Sequence, residues 1–268
     1  MKRAVLGVVA AGLFMVLITS VPAKAGLSSA EKGKIGVEAI LWWPQMSGNV
    51  TFDTKYISGT ELDLQDTLNL DDVTTTFELG AWFNLTKRNR FSFYWFMDQR
   101  DGSRVLEERV KIAGKKFAAG GKIDSELDVQ RYKLMYERAL IRRDQGRIAL
   151  GVGFSFIDAN AKIKGILMGG ENKSVEDRIQ FPLPVIGAAA ELHLPLGFGV
   201  FAEGCGLGMT YSDVSGNYFD ARGGVNWKSR FVFAQAGYQY FLLSAKAADA
   251  IKVDYSLVGP FLSVGAKF

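Results

Sequence analysis

Along most of the chain apolar and polar residues alternate with a period of two, the spacing of a β-strand whose successive side chains point to opposite faces. From Phe77 to Leu85 one face carries Phe77, Leu79, Ala81, Phe83 and Leu85, and the other Glu78, Gly80, Trp82 and Asn84. The same sense recurs elsewhere. Ile35, Val37, Ala39, Leu41 and Trp43 oppose Gly36, Glu38, Ile40 and Trp42, and Phe91, Phe93, Trp95 and Met97 oppose Ser92, Tyr94, Phe96 and Asp98. Ile148, Leu150, Val152, Phe154 and Phe156 oppose Ala149, Gly151, Gly153 and Ser155; Leu262, Val264, Ala266 and Phe268 oppose Phe261, Ser263, Gly265 and Lys267. The pattern predicts about ten strands, near 34–44, 73–86, 90–101, 127–141, 147–158, 183–194, 198–212, 218–228, 230–243 and 251–268. No window beyond the N-terminus holds the 18 or so consecutive apolar residues of a membrane helix.

Alternate gaps are short turns: Thr86 to Asn89, Arg142 to Gly146, Pro195-Leu196-Gly197 and Lys228-Ser229. The other gaps include long polar stretches near 45–72, 102–126 and 159–182. Short turns at one end and long loops at the other are the mark of an outer-membrane barrel, with the short turns on the periplasmic side. Phe83, Phe91, Trp227, Phe231 and Phe268 lie beside short turns or the chain end, as an inner aromatic girdle would; Trp43, Phe156, Tyr211 and Tyr218 suit an outer one. A soluble periplasmic β-sandwich also alternates, but it has no need of aromatics at both ends of its apolar faces. The predicted fold is therefore all-β, a transmembrane antiparallel up-and-down barrel over 34–268, with ten strands preferred and eight or twelve as alternatives.

Residues 1–25 read as a cleaved secretory signal: Lys2 and Arg3, an apolar run from Ala4 to Ile18, then Ala23-Lys24-Ala25 as a cleavage site. Residues 26–33 form a short N-terminal segment. The signal carries three bases and no acid, so its removal takes the formal charge from +4 to +1. The pI of 9.0 thus speaks for the signal and not for nucleic acid, and no basic stripe follows. One Cys and one His in 268 residues exclude a disulfide scaffold and any Cys/His metal cluster.

The signal, the alternation and the terminal strand ending in Phe268 together resemble the small outer-membrane β-barrels of Gram-negative bacteria, OmpA- and OmpW-like in the broad sense. The resemblance covers nearly all of residues 34–268. It implies Sec-type export, residence in the outer membrane beside lipopolysaccharide, and Phe268 as the signal read by the barrel-assembly machinery. It carries over no catalytic motif and no cofactor.

With the apolar faces against lipid, the opposite faces bring Glu38, Glu78, Asp98, Arg100, Arg131, Lys133, Glu137, Glu191, Glu203, Asp220 and Arg222 inward, with Asn226, Gln235 and Gln239. Both signs are present, so an internal salt-bridge network is one expectation. The other is a narrow pore: acids outnumber bases, the inward Gly36, Gly80, Gly151, Gly153 and Gly237 leave room, and acidic linings prefer cations. Arg138 breaks the pattern by falling on the lipid face near a turn, which calls for snorkelling or a bulge. A third reading is a surface-binding barrel that takes an extracellular ligand on its loops, with 104–112 and 122–129 as a hairpin above the membrane. A hydrolase is disfavoured, and the chain is read as a non-enzyme. The lone His193 lies by a periplasmic turn, Gly114 to Lys122 lacks the phosphate-loop pattern, and Cys205 sits between glycines as a packing residue.

Overall fold

The structure, a computed structural model, describes residues 34–52, 61–106, 110–112, 115–117, 120–166, 172–211, 214–247 and 251–268; the expected signal and the segment 26–33 lie outside these. Its strands are β1 (Ile35–Trp42), β2 (Gln45–Phe52), β3 (Glu61–Asp63), β4 (Thr76–Asn84), β5 (Asn89–Val105), β6 (Val110–Ile112), β7 (Lys115–Phe117), β8 (Lys122–Arg143), β9 (Gly146–Ile166), β10 (Asn172–His193), β11 (Phe198–Tyr211), β12 (Val214–Lys228), β13 (Val232–Ala247) and β14 (Ile251–Lys267). Neighbours pair antiparallel in the order β1-β4-β5-β8-β9-β10-β11-β12-β13-β14, and β1 returns to β14 to close the ring. Closure leaves no open edge at the level of the belt, the condition for crossing lipid with strands. At the seam Ile35 and Phe268 exchange both backbone hydrogen bonds, at 3.2 and 2.8 Å.

β1 and β2 are one stave of the barrel interrupted at Trp43-Pro44, because proline offers no donor to a ladder. Both pair with β14, β1 from Gly36↔Lys267 to Trp42↔Phe261 and β2 from Gln45↔Val258 to Phe52↔Ile251. Ten staves result, as the alternation predicts. β3 joins β2 at the mouth, and β6 and β7 form a small separate hairpin.

β8, β9 and β10 have 22, 21 and 22 residues, whereas a transmembrane strand needs about 9–11. Roughly half of each therefore stands clear of the membrane. This corrects two of the expected loops: 45–52 is strand, and 159–182 is for the most part the paired upper half of β9 and β10, whereas 102–105 and 122–126 extend β5 and β8 in the sense of the expected hairpin above the membrane. Arg138 is exposed on the outer face near the periplasmic end, and the register shifts one step later, between Ala139 and Ile141. That bulge turns Arg142 inward beside Arg147.

Outward side chains divide the barrel into a belt and a collar. The belt carries Phe83, Phe91, Leu134, Leu150, Phe154, Leu192, Val225 and Leu262, all exposed, with Trp227, Phe231 and Phe268 at the periplasmic rim and Trp43, Tyr132 and Phe156 above. Tyr218, expected in the outer girdle, is instead buried inside. β12 begins at Val214, and on it the odd residues, Phe219 among them, face out. Above Tyr132 and Phe156 the chemistry inverts without a change of register. On β8 Asp124, Glu126, Asp128 and Gln130 now point out, while Ile123, Ser125, Leu127 and Val129 point in. β9 does the same with Lys162 and Lys164 outside and Ile163 inside. An apolar outer belt matched to lipid, beneath a collar that is polar outside, makes the chain an outer-membrane β-barrel with a tall extracellular half.

Candidate functional site

The interior has three storeys. The lowest is a vestibule of about 480 Å³ open towards the periplasm. Arg147 pairs with Glu137, Lys228 with Glu191, and Asn226 donates to Glu191 at 3.0 Å. Arg90 lies over the Trp82 ring, 4.8 Å from its centroid. Arg90, Arg142, Arg147, Lys228 and Lys267 line this space and remove the acidic excess expected of the lumen. The alternation already turns Lys267 inward; the others escape the sequence reading because most lie at strand ends, and a bulge re-aims Arg142. His193 sits here, its Nδ1 2.9 Å from the Asp144 carbonyl oxygen.

The middle storey is a plug. Arg131 donates to Glu78 at 3.0 Å, to Asp220 at 2.8 Å and to the Tyr218 hydroxyl at 3.2 Å; Lys133 reaches Asp220 at 2.5 Å. Arg222 joins Glu203 at 2.6 Å, Tyr94 at 3.0 Å and Glu38 at 3.4 Å, and Ser263 donates to Glu38 at 2.9 Å. Ring contacts cross the lumen from Trp42 to Phe96, Phe96 to Phe241, and Phe241 to Tyr218 and Tyr255, with centroids 5.7–6.0 Å apart. The Arg131 guanidinium lies 5.2 Å from the Phe96 ring centre and 5.4 Å from that of Phe241. Each of the seven inward carboxylates of the sequence list has a named partner, which is what keeps a desolvated charge tolerable. Two of the glycines expected to leave room, Gly36 and Gly80, are covered by aromatic rings. A Cβ on Gly36 would meet the Trp82 ring at 2.2 Å, and one on Gly80 the Tyr94 ring at 2.6 Å, so those spaces hold aromatic side chains.

The top storey is a chamber inside the collar. Its walls are Leu127 and Val129 of β8, Ala159, Ala161 and Ile163 of β9, Ile179 of β10, Leu243 of β13, and Val253 with Tyr255 of β14. Its lid is the segment after β3, where Leu64, Leu68 and Leu70 are each 3% exposed and face down into the same cluster. The Asp63 carboxylate accepts the amides of Gln65 and Asp66 at 2.8 and 2.6 Å, which folds this segment into a tight turn. Arg100 holds it from below. Paired with Asp98 at 2.8 Å, Arg100 donates to the carbonyl oxygens of Asp71 at 2.5 Å and Asp72 at 2.9 Å, while Tyr255 donates to Asp98. The lining is almost entirely carbon, yet it leaves about 40 Å³ unfilled. A void of that size costs on the order of 1 kcal/mol relative to a filled core. The buried Ser125 hydroxyl also lines the chamber and meets no hydrogen-bond partner among the described residues.

The structure thus brings Glu38, Glu78, Arg131, Lys133, Glu203, Asp220 and Arg222 into the plug, Asp98 and Arg100 under the lid, and Glu137 and Glu191 into the vestibule. The lid and chamber were missed. The inversion of polar and apolar phase between Gln130 and Tyr132 is the signal that marks them.

No protein-family model matches the chain, and no curated protein sequence does. Among solved structures the chain is similar to the outer membrane protease OmpT from Escherichia coli, with a TM-score of 0.55 at 8% identity over 92% of this chain and 100% of that one. It is more distantly similar to the transport unit of the autotransporter AIDA-I from Escherichia coli, with a TM-score of 0.42 at 10% identity over 95% and 96% of the two chains. A further match is the attachment invasion locus protein Ail of Yersinia pestis, with a TM-score of 0.34 at 11% identity over 88% and 99%. At such identities the likeness speaks for the fold alone, and of these three the match to OmpT is the one close enough to carry that much.

Proposed function

We propose that the chain is a surface-binding outer-membrane barrel, closed to ions and without catalytic activity, whose working part is the extracellular collar. The observation that carries this reading is the plug. Trp42, Phe96, Arg131, Phe241 and Tyr255 are each no more than 2% exposed, and their linked rings cross the lumen. An eight-stranded barrel is just filled by its own side chains, and ten staves leave little more once rings of this size turn inward. A selective pore needs charges that can meet an ion, whereas here each inward carboxylate of the plug is already engaged. Hydrolysis is disfavoured by the position of His193 at the periplasmic turn, far along the staves from the collar. Phe268 serves assembly in this reading, as the outward terminal residue of the closing stave.

Single-channel recording in a planar bilayer tests the proposal. The folded wild-type chain gives no discrete openings, and Phe96→Ala/Phe241→Ala, which removes two rings from the plug, gives small ones. Discrete wild-type openings whose ion selectivity shifts with Glu78→Gln would overturn the closed reading and establish the acidic pore.

A further inference from the structure

We infer that the periplasmic vestibule is a binding site for a small organic carboxylate, gripped by Arg90. The plug makes this space a pocket and not a passage. Glu38, Tyr94, Glu203 and Arg222 form its ceiling and are bonded to one another, Tyr94 to Glu38 at 3.0 Å and Arg222 to Tyr94 at 3.0 Å and to Glu203 at 2.6 Å. Below them a cavity of about 480 Å³ opens at the periplasmic turns, and pockets of that order hold small-molecule ligands.

The charges of the pocket do not cancel. Six cationic side chains line it against four carboxylates, and the Glu137 that pairs with Arg147 makes a fifth. The excess falls on Arg90. Glu137 stands directly across the β5–β8 ladder from it but is taken by Arg147, and Glu191 is taken by Lys228 and Asn226. Among the described residues no carboxylate lies within ion-pair distance of this half-buried guanidinium, although a charge withdrawn from water without a counter-charge is costly. Arg90 is nevertheless held in place. The Trp82 ring centre lies 4.8 Å from it, and its Nε donates to Asn84 Oδ1 at 3.0 Å. The Nη1–Nη2 edge, which bonds to nothing else among the described residues, is left as a fork of two donors in the pocket. Such a planar fork fits the two oxygens of a carboxylate. One excess positive charge matches one carboxylate, whereas a dianion such as phosphate would leave a negative excess. Trp82, Phe201 and Phe233 line the same space and give the body of the ligand an apolar surface to cover.

The inference goes beyond the collar reading and is tested apart from it. The full chain in phosphatidylcholine nanodiscs is titrated with 4-fluorobenzoate and with its neutral counterpart 4-fluorobenzamide, and binding is followed by ¹⁹F NMR against empty nanodiscs. The benzoate binds saturably and the benzamide far more weakly. Arg90→Gln weakens the benzoate roughly ten- to hundredfold, the worth of a charge-assisted hydrogen-bonded pair, and leaves the benzamide unchanged. Should Arg90→Gln not fold, as judged by heat-modifiable gel mobility, Arg90→Lys takes its place; it keeps the charge but loses the fork, and weakens the benzoate by roughly threefold or more. Arg178→Gln, which removes a cation from the outer wall of the collar, leaves benzoate binding as it was. Equal binding of the two probes, benzoate binding that the Arg90 variants leave intact, or displacement by inorganic phosphate at lower concentration than by acetate overturns the proposal. A conducting barrel that still binds 4-fluorobenzoate through Arg90 overturns only the closed reading, and a silent barrel that binds neither probe overturns only this inference.

Discussion

Arg131→Met removes the cation that bridges Glu78 and Asp220 in the plug while keeping an unbranched chain between the Phe96 and Phe241 rings. Glu78 then loses its 3.0 Å ion pair and keeps only Gln239, at 3.4 Å. Asp220 loses one partner and keeps Lys133, at 2.5 Å. Breaking one side of a buried ion pair costs about 3–5 kcal/mol, and the surviving Lys133 contact places this variant near 3. With a urea slope of about 3 kcal/mol per M for a chain of this size, the unfolding midpoint in lipid vesicles falls by about 1 M. The reasoning fixes a second value. Arg131→Met/Glu78→Met removes both members of one pair and leaves Asp220 with Lys133, a balanced remainder. Replacing a whole buried pair with apolar side chains is close to neutral, so the double variant recovers most of the lost stability. Its cycle with the two single variants shows a coupling of about 2 kcal/mol or more. Additive losses, or a single-variant midpoint within 0.3 M (~1 kcal/mol) of wild type, would refute the account of the plug as an interlocked ion-pair network.

Two further outcomes follow from the collar. Gly102→Val places a Cβ where Asn69 O and Leu68 O lie 2.4 and 2.5 Å away; overpacking against backbone costs about 1–3 kcal/mol. Hydrogen exchange of residues 64–70 therefore accelerates roughly 5- to 150-fold with the belt unchanged, and unaltered exchange in the lid would contradict its seating on β5. On the outer wall above the lipid belt, Arg178 beside Asp158 holds that carboxyl below its ordinary value of 3.8, aided by Gln180. A depressed folded-state pKa means the contribution is fully present above about pH 4 and is lost as pH falls through the lowered value. Exchange at the extracellular end of β9 and β10 should rise between pH 5 and pH 2 in wild type but not in Asp158→Asn; equal profiles would sink the assignment.

The belt was legible in the sequence because lipid imposes one chemistry on every outward position. Ile148 to Phe156 and Phe91 to Met97 could be read without knowing their neighbours. The collar was harder because its inward faces are apolar and its outward faces charged, so the signal that identified Phe154 as outward would have assigned Ile163 the wrong way. The charges of 122–129 marked that stretch as one arm of a hairpin above the membrane, and 159–165 read as a polar loop; judged with the phase reversed, both alternate as cleanly as the belt. The inward charges could be placed by parity, but their partners could not. Arg131 meets Glu78 and Asp220, 53 and 89 residues away, and only the closed ring fixes that meeting. Arg142 depended on the bulge between Ala139 and Ile141, which the misplaced Arg138 signalled without fixing which residues it re-aims.

The break at Pro44 has a mechanical consequence. Below it the ladder is unbroken around the ring, so the belt is a hoop that cannot widen without parting a whole stave. Above Met97, β5 has no strand on its β4 side, and the lid segment after β3 meets it there through the Leu70↔Gly102 bridge, a 3.3 Å hydrogen bond from Asp71 N to Asp101 O and one of 3.1 Å from Asn69 Nδ2 to Ser103 O. The upper cylinder is therefore split along one line, like a ring cut for a clasp, with the Arg100 side chain fastening the cut from within.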